Sequence, residues 1–179
     1  MNIHILTEKF IIRDIEEDDL EGMYDLDSNP RVHKYLGGNP IKTKNQARDI
    51  IKNIHEQYDT NGIGRWAIED LKTNEFIGWT GFKYETKLRP DRAYIDIGYR
   101  LREKFWGKGI ATETGLACIN HGFEVLNYKK VFGCAEIEHI ASNIVLQKIG
   151  LKYIEDFKFE DHDLHWYGLT NRQWASAQI

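Results

Sequence analysis

Two glycines and a lysine stand directly before a helix-like run in "FWGKGIATE", Phe105 to Glu113. Glycine there serves a tight strand-to-helix turn, because it accepts backbone angles closed to other residues. It equally serves an anion site, in which successive bare N–H groups and the positive end of a helix dipole face a phosphate. The loop lacks the Gly-x-x-x-x-Gly-Lys-Ser/Thr spacing that wraps a nucleoside triphosphate. It also lacks Gly-x-Gly-x-x-Gly with an acidic residue about 20 positions on, so nucleotide hydrolysis and hydride transfer are set aside. Other reactive residues say less. "DHDLH", Asp161 to His165, reads as a solvated hairpin turn before it reads as a metal site, and none of the seven histidines forms His-x-x-x-His on one helix face. Cys118 and Cys134 fit no CxxC pattern and lie in apolar surroundings, so buried thiols are expected, with no metal.

The elements that must position the glycine loop follow from periodicity. "FIIRDI" (Phe10 to Ile15) reads as a strand, then a helix around Glu17 to Leu26, then the turn-rich loop "DSNPRVHKYLGGNP". Thr43 and Gln46 form a capping-box pattern opening a helix that runs to about Tyr58. "RWAIEDL" and "FIGWTGFKYE", split by "KTNE", predict a hairpin. In "AYIDIGYRL", Ala93, Ile95, Ile97, Tyr99 and Leu101 share one face, while Tyr94, Asp96, Gly98 and Arg100 share the other. That strand runs straight into the glycine loop, and helical spacing from Ile110 to Leu126 follows. "KKVFGCAEI" is a further strand, "ASNIVLQKIG" a short helix ending at Gly150, and "LKYIEDFKF" with "LHWYGLT" a closing pair. The order predicts an α/β domain with a mixed sheet, whose strand-to-helix handover is where open α/β sheets hold phosphates.

At 179 residues the chain suits one well-packed core, residues 1–179 forming a single domain. It contains no run of 18 apolar residues, and its start shows no basic region before a long apolar stretch, so a cytoplasmic protein without membrane attachment is expected. A net charge of −4 argues against a grip on nucleic acid and suits a cationic or amine partner better.

Three segments in this order, "FIGWTGF", "RLREKFWGKGIATETG" and "HIASNIVLQKIGLKYI", resemble the GNAT superfamily of N-acyltransferases. The likeness is nearest to the branch of the RimJ/RimL ribosomal-protein N-terminal acetyltransferases and extends from "ILTEKFIIRDIEEDDL" to "WYGLTNRQW". It implies a mixed, mostly antiparallel sheet whose central strand is bulged and splayed from its neighbour, with flanking helices. It also implies acetyl-CoA as cofactor. The pyrophosphate would lie on the backbone of Trp106, Gly107, Lys108, Gly109, Ile110, Ala111 and Thr112, and the thioester and pantetheine near Tyr99 and Leu101. The family pattern opens this loop with Gln or Arg, where this chain has Trp106. Lys108 adds charge or is merely solvated. In the second family segment His139 replaces an asparagine, as a cofactor contact or a surface histidine, and Ser142 matches, with helix capping as its other reading.

Acetyl transfer to an amine needs a neutral amine, a stabilised tetrahedral oxyanion and a proton for the departing thiolate. An α-amine is neutral at pH 7 in roughly one molecule in ten, a lysine amine in about one in several thousand, so a modest base serves an N-terminal amine. Asp96, opposite the apolar row, is the candidate base, directly or through water; its other reading is a surface salt bridge. Gly98 interrupts the same strand and marks a bulge or a packing accommodation. The tyrosine that many superfamily members use for the last proton is replaced by Leu146, which leaves the Ser142 hydroxyl or a water; Glu136 and His165 are further polar candidates. The expected partners are acetyl-CoA and a primary amine, on a protein N-terminus or a small molecule, and a homodimer is compatible. A CoA-binding module without turnover is the competing class.

Overall fold

The computed structural model describes residues 2–89 and 91–177. One eight-stranded sheet organises them: β1 (Ile3–Leu6), β2 (Phe10–Asp14), β3 (Arg65–Asp70), β4 (Phe76–Glu85), β5 (Tyr94–Leu101), β6 (Lys130–Glu136), β7 (Lys152–Phe159) and β8 (His162–Thr170), in the order β1-β2-β3-β4-β5-β6-β8-β7. Every neighbouring pair is antiparallel except β5 and β6, which run parallel. The helices are α1 (Leu20–Asp27), α2 (Lys44–Asn61), α3 (Ile110–Glu124), α4 (Ile140–Lys148) and α5 (Asn171–Ala177).

Two cores sandwich the sheet. On one face, Cys118, Ile119 and Phe123 of α3 and Leu146 of α4 pack with Phe82, Ile97, Val131 and Tyr167. On the other, Met23 and Leu26 of α1 and Ile51 and Ile54 of α2 pack on Ala67 and Phe76. The apolar row of β5 faces the α3 side. The expected capping box opens α2, with the Thr43 side chain accepting from the Gln46 N–H. Two elements lie outside the sequence expectations: β1, a four-residue edge strand, and α5, seven residues after the last strand. Both are too short to show a clear period.

The parallel junction is the feature that matters. β5 and β6 meet only at Asp96 opposite Phe132, and beyond that pair the two strands diverge. The splay is therefore present. The bulge is not in β5: its register against β4 runs unbroken from Gly78–Leu101 to Glu85–Tyr94. In the centre of the sheet the register shift lies in β4 instead, where Ile68 and Glu69 of β3 oppose Gly78 and Phe76 and leave Ile77 extra. Gly98 has a packing reason instead, because a β-carbon there would lie 2.9 Å from the Arg65 guanidinium.

Candidate active site

The diverging ends of β5 and β6 open a V whose edge can be read from the backbone. The Arg102 N–H donates to the Ile77 carbonyl (3.0 Å), so the peptide edge at position 102 faces β4. Alternation along the strand turns the edges of Tyr99 and Leu101 toward β6, where the partner strand has moved away. Both residues thus present backbone polar groups to the V. The Trp106 indole caps the end, its Nε1–H donating to the Leu101 carbonyl at 2.8 Å.

Immediately beyond, Gly107 and Gly109 adopt φ of +72° and +78°, left-handed backbone that favours glycine. A β-carbon at either would meet no atom within 4 Å, so the space in front of both is open. Gly109 is the N-cap of α3, which leaves the N–H groups of Ile110, Ala111 and Thr112 without intrahelical acceptors at the positive end of the dipole. Lys108 is exposed beside the Phe105 ring, its Nζ 5.3 Å from the centroid, and makes no ion pair among the described residues. A loop with open glycines, a helix N-terminus and an adjacent strand edge suits a ligand that carries a pyrophosphate and an amide-bearing chain. Coenzyme A is such a ligand.

The other arm of the V is the turn from β6 into α4. His139 is the N-cap of α4, so Ser142 lies inside the first turn and is not its cap. The Ser142 hydroxyl interacts with the Tyr99 phenol, which burial pushes above its ordinary pKa, the serine partly offsetting this. The turn itself is held by Asn143, whose Nδ2–H donates to the carbonyls of Glu136 (2.8 Å) and His139 (3.0 Å) while its Oδ1 accepts from the Tyr167 hydroxyl (2.9 Å). His139 stacks on Tyr35 with centroids 4.3 Å apart. Burial lowers its pKa, which keeps the ring neutral at pH 7. Tyr35 thus brings the α1–α2 connection across the mouth of the V. Neither Tyr35 nor Asn143 carries a signal in the sequence that marks it for this place.

Asp96 lies on the wall of the V at 5% exposure, its carboxylate hydrogen-bonded to Arg65. Arg65 in turn donates to the Gly81 carbonyl (2.5 Å) and the Asp96 carbonyl (3.1 Å). Burial raises the carboxyl pKa, against the pull of Arg65 and Lys83. The expected surface salt bridge is thus a buried one. His165 pairs with Asp156 at 2.5 Å on the β7–β8 hairpin, and His162 with Glu136 at 2.7 Å. Cys118 and Cys134 are free thiols, the first fully buried and the second partly exposed, and burial pushes both pKa values up to about 12.

A sequence model of the GNAT acetyltransferase domain matches residues 9–152. The chain belongs to the GNAT acetyltransferase family. This family member is 30% identical to the uncharacterized N-acetyltransferase p20 of Bacillus licheniformis, over 96% of this chain and 98% of that one. It is 29% identical to YdaF of Bacillus subtilis, provisionally named a ribosomal N-acetyltransferase, over 97% of both chains. The spermidine N(1)-acetyltransferase of Escherichia coli K12 is 25% identical over 93% of this chain and 81% of its own. Among solved structures, a GNAT-family acetyltransferase from Bacillus anthracis superposes with a TM-score of 0.79 at 22% identity, covering 96% of this chain and 99% of the other. The protein is accordingly an N-acetyltransferase, with acetyl-CoA as its donor.

Proposed function

We propose that this GNAT enzyme acetylates the N-terminal amine of a ribosomal or other protein, in the manner of the RimJ/RimL branch, as a single cytoplasmic catalytic domain spanning residues 1–179. The full-length likeness to YdaF carries this choice of acceptor, and the chemistry favours it, since an α-amine is far more often neutral at pH 7 than a lysine amine. Acetyl-CoA, when bound, supplies an acetyl thioester at the V.

Each residue then has a task. The N–H groups of Gly107, Lys108, Gly109, Ile110, Ala111 and Thr112, with the backbone of Trp106, hold the pyrophosphate. The strand edges of Tyr99 and Leu101 hold the pantetheine amides and orient the thioester carbonyl. His139, neutral and stacked on Tyr35, borders the same chain. Ser142, backed by the Tyr99 phenol, gives a proton to the departing sulfur. Asp96, engaged by Arg65 and shielded from solvent, steadies the wall of the cleft rather than receiving a proton from the acceptor.

A second reading has its own support in the spermidine acetyltransferase relative: a small amine as acceptor. Thiol release from acetyl-CoA, measured against a panel of N-terminal peptides, spermidine and amino acids, separates the two. Turnover confined to peptides supports the first, turnover confined to small amines replaces it with the second, and CoA binding without turnover on any amine leaves a binding module.

A further inference from the structure

Several carboxylates about the V are engaged by an arginine: Asp96 by Arg65, Asp27 by Arg100 and Glu103 by Arg31. Glu136 is paired with a histidine instead. Among the described residues its one side-chain ion pair is with His162 Nδ1, at 2.7 Å. It is the last residue of β6, and the alternation Phe132, Cys134, Glu136 puts it on the face of the sheet that Asp96 shares. Its side chain is 18% exposed, so it is reachable without being free in solvent. Its carbonyl accepts from the His139 N–H (2.9 Å) and from Asn143 Nδ2–H, which fixes it to the turn that carries His139 and Ser142.

We propose that Glu136, with His162 from the β7–β8 hairpin behind it, is the group that receives the acceptor ammonium and takes its proton. The inference rests on acetyl transfer at this V. An aliphatic acceptor arrives as R–NH3+. Its proton passes to a Glu136 carboxylate oxygen and from there to water, which reaches the pair past His162, whose side chain is 36% exposed. The freed lone pair attacks the thioester carbonyl carbon, a C–N bond forms, and the C–S bond breaks. The second amine proton leaves with the thiolate. One R–NH3+ and one acetyl thioester thus give one amide, one thiol and one proton released to solvent. An arginine in that place would be a permanent counter-charge on the carboxylate, which a histidine is not.

Glu136→Gln keeps the shape and removes the charge. The acceptors are butylamine, an ammonium at neutral pH, beside the aliphatic amine preferred in the screen above, and aniline, which is neutral there. The expected result is a loss of at least about hundredfold in kcat/KM for the aliphatic amines and less than about threefold for aniline. CoA affinity by calorimetry stays at the wild-type value. Titration of butylamine into the CoA complex, where no acetyl group can move, shows at least about tenfold weaker binding to the variant. His162→Asn gives a smaller loss of the same selective kind. Equal losses on both amine classes, or a wild-type rate on the aliphatic amines, overturn the assignment. Wild-type enzyme that releases no thiol with any amine defeats the acetyl-transfer reading itself, an outcome visible before any variant is made.

Discussion

Alanine at Gly107 or Gly109 separates a turn from a cofactor cradle. Both glycines sit in left-handed backbone, at φ of +72° and +78°, where a β-carbon costs about 1–2 kcal/mol per residue. No collision adds to this, since nothing lies within 4 Å of either β-carbon position. For a chain of this size each kcal/mol lowers Tm by about 2–4 °C, so each single variant folds. A methyl group in the path of the phosphate should remove at least one hydrogen bond to a charged group, worth about 1.5–3 kcal/mol, and raise Kd for CoA about 10- to 150-fold. Calorimetric titration of each folded variant with CoA reads the loss. Titration with pantetheine, which has no pyrophosphate, should give wild-type affinity. Unchanged CoA affinity in both variants, or an equal loss for pantetheine, refutes the cradle and leaves the glycines as turn residues.

Ser142→Ala should slow turnover about hundredfold with donor binding intact; raising the pH from 7 to 9 should not recover it, and a donor with a better leaving thiol should. Arg65→Met leaves the buried Asp96 unpaired and should cost about 3–5 kcal/mol in urea denaturation, and adding Asp96→Asn should return part of that. His33 is 8% exposed, and burial followed by Arg100 depresses its pKa below the unfolded value of 6.5. The unfolded chain then binds the proton first, so stability should fall as pH drops below about 6.5, with a slope of at most about 1.4 kcal/mol per pH unit for this group. Chemical denaturation at pH 5, 6 and 7 reads the slope, and His33→Gln should flatten it; an unchanged slope argues that this ring gains its proton without penalty.

What the sequence makes legible is local. The strand alternation from Tyr94 to Arg100, the Gly-x-Gly turn and the helix after it each lie within a few residues, so their geometry follows from period and backbone preference. Alternation correctly separates Asp96 from Ile95 and Ile97, but it cannot tell exposure, because β5 is covered on both faces. Gly98 illustrates the same limit: its need for a bare Cα arises from Arg65, 33 residues away in the chain. The Asn143 bridge to Tyr167 and the Tyr35–His139 stack are likewise tertiary, made by residues whose neighbours in sequence do not hint at the partner. The pairing of Glu136 with His162 joins a residue that the sequence offers only as one polar candidate among several to one that it leaves in a solvated turn.

The longest-range of these contacts tie the two sides of the site together. Asp25 and Asp27 of α1 pair with Arg102 and Arg100, and Asn29 and Arg31 just beyond it hold Glu103 (Asn29 Nδ2–H to Oε2, 2.8 Å). Arg31 also lies over the Trp106 ring, 5.9 Å from its centroid, and Tyr35 reaches His139 on the other arm. Residues 25–35 therefore touch the segment leading into the glycine loop and the start of α4 at once. Several of these pairs are partly exposed and individually weak, yet in series they fix the α1–α2 connection against both arms of the V. A sequence change in this connection is thus expected to reach CoA affinity as well as acceptor choice. A connection transplanted from a relative would need partners for Glu103, Arg100 and His139 to sit in the same place.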